Sequence, residues 1–176
     1  MVSNRIGAPP PTDAQDRTME ILPIGTIETP FKDREGMPIQ PTGAKGVRGR
    51  IILDPAYEQG LNDLDGFSHL ILLYHFHESK GFDLMVTPFL DKTKRGVFST
   101  RAPRRPNPIG LSVVRLISCK GGILEIEDID VLDQTPLIDI KPYVPKFDIK
   151  EVTASGWLEK TQDQALDHKS DDRFVE

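Results

Sequence analysis

The sequence predicts an all-β (mainly β) fold of short strands with few short helices, arranged as a sandwich or a barrel. Three observations carry this reading. Short segments, several of them rich in β-branched residues, recur along the chain; Gly, Pro, Asn and Asp separate many of them; and helical periodicity is scarce. With 176 residues, 38% hydrophobic and 28% charged, the chain is long enough for one domain with a sizeable core.

Taken in order, residues 1–16 hold Pro9, Pro10 and Pro11 in succession, a run that can neither nucleate a helix nor pair as a central strand. A flexible arm without chemistry is expected there. It lacks the apolar core of a secretory signal, and no run approaches the roughly 18 to 20 apolar residues of a membrane span, so the sequence predicts a cytoplasmic protein with no membrane partner. Extended segments follow at Ile21 to Thr29, Val47 to Leu53, Phe67 to His77, Val97 to Thr100, Leu111 to Cys119, Ile123 to Leu132 and Leu137 to Tyr143. A helical turn or two fits "PAYEQGLNDL", and a polar amphipathic stretch runs from Trp157 to about His168. The division expected is an arm at 1–16, a barrel domain at 17–150 and a partly helical or disordered extension at 151–176.

A doubly wound nucleotide-binding fold needs helices of ten or more residues between its strands, and these are missing. The glycines of "GAKGVRGR" (Gly43, Gly46 and Gly49) match neither the dinucleotide fingerprint nor a phosphate-binding loop. Cys119 is the single cysteine, which excludes an internal disulfide, a Cys-based zinc site and a redox pair; it reads as a small core residue.

Charge is uneven. The net charge is −5, yet Lys92 to Arg105 holds six basic residues and no acid, leaving 16 basic against 27 acidic residues, or −11, on the remainder. Within "STRAPRRPNPIGLS" the prolines hold the preceding residues extended, so arginines stand on a stiff loop and lose little entropy on gripping a carboxylate or phosphate. In "GFSHLILLYHFHE" an extended chain places His69, His75 and His77 on one face. His75 and His77 could share a metal, but His69 lies about 20 Å from His75 by strand rise, and no further ligand completes a site, so no metal is expected. A third constellation crowds Glu125, Glu127, Asp128, Asp130, Asp133 and Asp139 among isoleucines and leucines. Asp139, inside "PLIDIKPY", needs a partner there, and Lys141 two residues on is the candidate, with Tyr143 at the strand's end.

Five collinear segments from Ile24 to Pro145 ("IGTIETPF", "MPIQPTG", "GLNDLDGFSHLILLYHFHE", "GVFSTRAPRRPNPIGLSVVRL" and "DVLDQTPLIDIKPYVP") resemble the TsaA-like, or TrmO, family of S-adenosylmethionine-dependent tRNA N6-methyltransferases. The sequence departs from the family at Gln134, where the family has a glycine, and at Ile39, where it has an arginine. The resemblance implies a compact β-barrel that forms a homodimer and transfers a methyl group from S-adenosyl-L-methionine to N6 of threonylcarbamoyladenosine next to the tRNA anticodon. It implies cofactor contacts at Pro41, Thr42, Gly43, His77, Glu78, Arg101, Leu111, Glu127, Asp128, Ile129 and Asp130. Lys94, Arg104 and Arg105 are then expected on RNA phosphates. The acceptor nitrogen belongs to a urea and needs a base: Asp139, with Lys141 and Tyr143 around it, is the first candidate and His77 the second. Two other classes stand beside this one, a non-catalytic RNA-binding barrel and a metal-dependent hydrolase built on His75 and His77.

Overall fold

In a computed structural model that describes residues 19–38, 40–160 and 170, the chain forms β1 (Gly25–Glu28), β2 (Arg48–Leu53), β3 (His69–His75), β4 (Met85–Val86), β5 (Arg95–Gly96), β6 (Ile109–Lys120), β7 (Ile123–Glu127) and β8 (Thr135–Pro142). A single short α-helix, α1 (Pro145–Asp148), follows among the described residues. The strands pair antiparallel in the order β1-β2-β7-β6-β3-β8, and β8 pairs back onto β1. The all-β class is therefore a closed six-stranded barrel, which leaves no unpaired edge. β4 and β5 make a separate two-stranded ribbon. The arm at 1–16, Ile39 and positions 161–168 of the expected amphipathic stretch lie outside the described residues.

Alternation decides which side chains fill the barrel. Leu70, Leu72 and Tyr74 of β3 point inward and are buried, while His69, Ile71, Leu73 and His75 face out. Ile27, Ile51, Val114, Leu124, Ile126 and Leu137 complete the same core from the other strands, and Cys119 packs half-buried against it. The β6–β7 hairpin closes through Gly121 (φ 56°) and Gly122 (φ 74°), two left-handed residues whose twist matches that of the strands they join.

Three expected elements differ from what forms. Val97–Ser99 is a 3₁₀ turn instead of a strand, because Val97 is drawn into a small cluster with Val86, Ala102 and Phe89. The helical turns expected after Asp54 do form, as a 3₁₀ helix over Pro55–Leu61, begun by the Asp54 carboxylate, which accepts the Ala56 N–H at 2.9 Å. The strand expected as far as Leu132 ends at Glu127, where Asp128 turns left-handed (φ 68°) and its carboxylate accepts the Gly46 N–H at 2.7 Å. Finally, β8 carries an extra residue: Leu73 pairs with Asp139 but Tyr74 pairs with Leu137, so Ile138 is a bulge. Without the bulge Asp139 would share Leu137's inward face; with it, Ile140 turns to the core and Asp139 turns out.

Candidate active site

Where β3 ends and β6 and β8 begin, a cavity of about 620 Å³ opens at one mouth of the barrel. Its walls come from segments far apart in sequence: the loop around Arg34 to Gln40, Tyr74 to Ser79, the proline-rich loop from Thr100 to Asn107, the start of β6, Asp130 to Leu132, and Thr135. One backbone bond ties the proline loop to the end of β3, Phe76 N–H to the Pro108 carbonyl at 2.8 Å, and a second, Ile109 N–H to the Asn107 carbonyl at 2.7 Å, closes its turn into β6. Its arginines are thus held in place by backbone as well as by the fixed φ of the prolines.

Arg101 stands on this loop and donates from Nη1 to Gln40 Oε1 at 2.8 Å, which aims its guanidinium across the cavity rim. Arg34 Nε lies 3.2 Å from Glu78 Oε2, and Arg105 donates to the Thr100 carbonyl at 3.3 Å. Asp130 is a second charged group on the cavity lining. Burial pushes it up to about 6, against the hydrogen bond from Ser112, that from its own backbone N–H, and the charge of Arg101. Tyr74 and Ser112, both buried, lie behind it: the Tyr74 hydroxyl is 3.0 Å from Ser112 Oγ, which donates to Asp130 Oδ1 at 2.6 Å.

His77 leaves the β3 face that carries His69 and His75, because its N–H bonds back to the His75 carbonyl at 2.8 Å and turns the chain. Its Nδ1 comes to 3.3 Å from Thr135 Oγ1. Thr135 spends its own proton on the Leu132 carbonyl at 2.7 Å, so between these two groups the imidazole must be the donor. In the neutral ring, the tautomer this selects has its proton on Nδ1 and a lone pair on Nε2.

Of the residues expected at the cofactor site, His77, Glu78, Arg101, Leu111 and Asp130 line this cavity. Pro41, Thr42 and Gly43 form a 3₁₀ turn just past Gln40, which does line it. Glu127 is held by Arg48 and Arg115 across the neighbouring strands, Asp128 caps Gly46, and Ile129 is buried in the core. Asp139, Lys141 and Tyr143 are not brought to the cavity. Asp139 Oδ2 pairs with Lys141 Nζ at 2.7 Å beside a smaller cleft lined by Ile24, Leu53 and Tyr57. Tyr143 N–H bonds to the His69 carbonyl at 3.0 Å, at the far end of β3 and about 20 Å along the strand from its cavity end. Of the expected RNA contacts, Lys94 is exposed, Arg105 lines the cavity, and Arg104 is bound to Asp83 at 2.7 Å and to the Lys80 carbonyl at 3.0 Å. Sequence reasoning missed Gln40, Tyr74, Ser112 and Thr135. Ser112 had one legible signal, a polar residue at an inward position of β6, between Gly110 and Val114.

Comparison with known proteins places this geometry in a family. The model of the tRNA-methyltransferase O N-terminal domain matches residues 26–149. A probable S-adenosyl-L-methionine-binding protein of Pyrococcus abyssi is 52% identical over 152 residues, 86% of this chain and 83% of that protein. The tRNA (adenine(37)-N6)-methyltransferase of Homo sapiens is 37% identical over 135 residues, 72% of this chain but 30% of the human protein. Among solved structures, the crystal structure of TrmO from Pseudomonas aeruginosa superposes with a TM-score of 0.68 at 40% identity, over 79% of this chain and 62% of that one. The match thus spans less than two thirds of the human and Pseudomonas proteins and most of the archaeal one. A barrel whose mouth is built from these motifs, and a family model that runs through nearly every strand of it, lead to one conclusion: the chain belongs to the tRNA-methyltransferase O N-terminal domain family.

Proposed function

We propose that the protein is an S-adenosylmethionine-dependent methyltransferase acting on N6 of the threonylcarbamoyl-modified adenine next to the tRNA anticodon. The observation that carries this is the joint presence of Arg101 and Asp130 on one cavity: opposite charges for a ligand that is itself zwitterionic and cationic. Three further features fit S-adenosylmethionine. The volume, about 620 Å³, lies in the usual range for small-molecule sites. Phe76, Phe89 and Phe98 supply aromatic surface for a purine. The names of the archaeal and human relatives point to the same donor and to adenine 37.

When bound, S-adenosylmethionine supplies the methyl group as an electrophile. The chain's own residues do the rest. Arg101, preset by Gln40, grips a carboxylate through charge-assisted bonds. Asp130 meets positive charge elsewhere on the ligand. His77, its Nδ1–H engaged by Thr135, offers Nε2 to the proton of the attacking nitrogen, which a urea-type nucleophile must lose. Asp139 lies outside the cavity with its charge spent on Lys141, so His77 is the base of this proposal. Exposed Lys92 and Lys94 meet RNA phosphates, with Arg105 at the rim, while Arg104 holds the loop to Asp83. A homodimer fits the apolar surface left open beside the cavity by Phe98 (75% exposed) and Leu111 (48% exposed).

Titration calorimetry with S-adenosylmethionine tests the reading. The parent protein binds it, and Arg101→Ala weakens binding about 10- to 100-fold, the loss of a charge-assisted bond. A parent protein that does not bind the donor would remove the proposal.

A further inference from the structure

Two hydroxyls sit where the barrel needs none. Tyr74 is 5% exposed and Ser112 0%, both inside an otherwise apolar core, and a phenylalanine and an alanine would fill most of the same space without polar atoms to satisfy. Their protons can be traced. An ionised Asp130 can only accept, so Ser112 gives it its single proton at 2.6 Å; the 3.0 Å bond between Tyr74 and Ser112 must then carry the tyrosine's proton. Both donors run toward Asp130. The groups whose field or hydrogen bonds act on this carboxylate are Ser112 from β6, its own backbone N–H and Arg101 from the proline loop; Tyr74 from β3 acts through Ser112, and Asp130 in turn raises the Tyr74 hydroxyl. Gly110 keeps the arrangement in place by leaving room for the tyrosine ring.

We infer that Tyr74 and Ser112 are positioning residues that hold Asp130 as a carboxylate facing the cavity, where it is the counter-charge for a cationic group of the bound ligand. This rests on the reading of the cavity as an S-adenosylmethionine site. That ligand carries two such groups, a sulfonium and an ammonium, and both present the same chemistry to a carboxylate. A ligand without positive charge has nothing to gain from Asp130.

The test is calorimetry with S-adenosylmethionine, S-adenosylhomocysteine and methylthioadenosine on the parent protein and on Asp130→Asn, Ser112→Ala and Tyr74→Phe, at several pH values. Asp130→Asn is expected to weaken S-adenosylmethionine binding about tenfold or more and to leave uncharged methylthioadenosine unaffected. A loss confined to S-adenosylmethionine assigns the sulfonium; an equal loss for S-adenosylhomocysteine assigns the ammonium. Ser112→Ala and Tyr74→Phe are expected to move the pH at which donor affinity falls upward from its parent value, since each removes support for the ionised form. A merely structural hydroxyl would not move that midpoint. Tyr74→Phe keeps the ring and its packing, so it remains informative if Ser112→Ala does not fold. Unchanged donor affinity in Asp130→Asn, or an unmoved midpoint in both hydroxyl variants, overturns the inference while the donor reading stands. A parent protein that binds none of the three overturns both.

Discussion

Gly110 faces Tyr74 across the β3–β6 pair so closely that a β-carbon at position 110 would stand 2.2 Å from the tyrosine ring. The ring fills the barrel interior and brings its hydroxyl to Ser112, so the glycine is the condition for the buried polar chain that ends at Asp130. Gly110→Ala must displace the ring or open the two strands. It is expected to cost about 1 to 3 kcal/mol in denaturant unfolding, the usual range for overpacking. A variant as stable as the parent would show that the ring moves freely.

Gln134 stands where the family's motif has a glycine, and its backbone is left-handed, with φ 61°. A side chain in that conformation carries a strain of roughly 1 kcal/mol, partly returned by the lower flexibility of the unfolded chain. Gln134→Gly should therefore raise stability by up to about 1 kcal/mol, read as a shift in the unfolding midpoint. A loss of stability would mean that the side chain makes contacts worth more than the strain.

The strands were legible because alternation is a local property. In "HLILLYH" alternation puts the histidines on one face, and the barrel buries the other, Leu70, Leu72 and Tyr74. The bulge at Ile138 was not. One extra residue leaves composition and spacing intact but reverses every later side chain, which is why Asp139 reads as an enclosed carboxylate in sequence and faces out in space. The cavity was half legible. Arg101, His77 and Asp130 belong to motifs and could be named singly, whereas Gln40, Thr135 and Ser112 matter through partners at least 18 positions away, a relation only the closed barrel creates.

Acidity separates Asp130 from the surface carboxylates. Its carboxyl is raised to about 6 mainly by burial, so the folded chain binds this proton more readily than the unfolded chain does. Its contribution to stability is then greatest below about pH 4 and is lost as pH rises through 6, the reverse of Glu127, whose bond to Arg115 lowers its carboxyl. Subtracting the stability-against-pH curve of Asp130→Asn from that of the parent isolates the effect, expected to be at most about 3 kcal/mol across pH 4 to 7. A flat difference would show that the fold leaves this carboxyl at its ordinary acidity.

The imidazole of His77 is oriented by a single buried hydroxyl, since Thr135 is 2% exposed and its proton is committed to Leu132. His77→Gln should reduce methyl transfer by on the order of 10² or more with donor affinity retained. Thr135→Val, close in shape, should reduce it less and shift the pH–rate profile, with the imidazole ¹⁵N resonances reporting loss of the Nδ1–H form. An unaltered profile and unaltered resonances in Thr135→Val would remove Thr135 from this role.

The central claim, that this barrel transfers a methyl group to tRNA, is tested most directly by mass spectrometry of nucleosides from tRNA carrying threonylcarbamoyladenosine, after incubation with the purified protein and S-adenosylmethionine. The account predicts that this nucleoside gains one methyl group, placed on N6 by fragmentation, and that the gain disappears with His77→Gln. Unmodified nucleosides from an incubation in which the protein demonstrably binds the donor and the tRNA would contradict it.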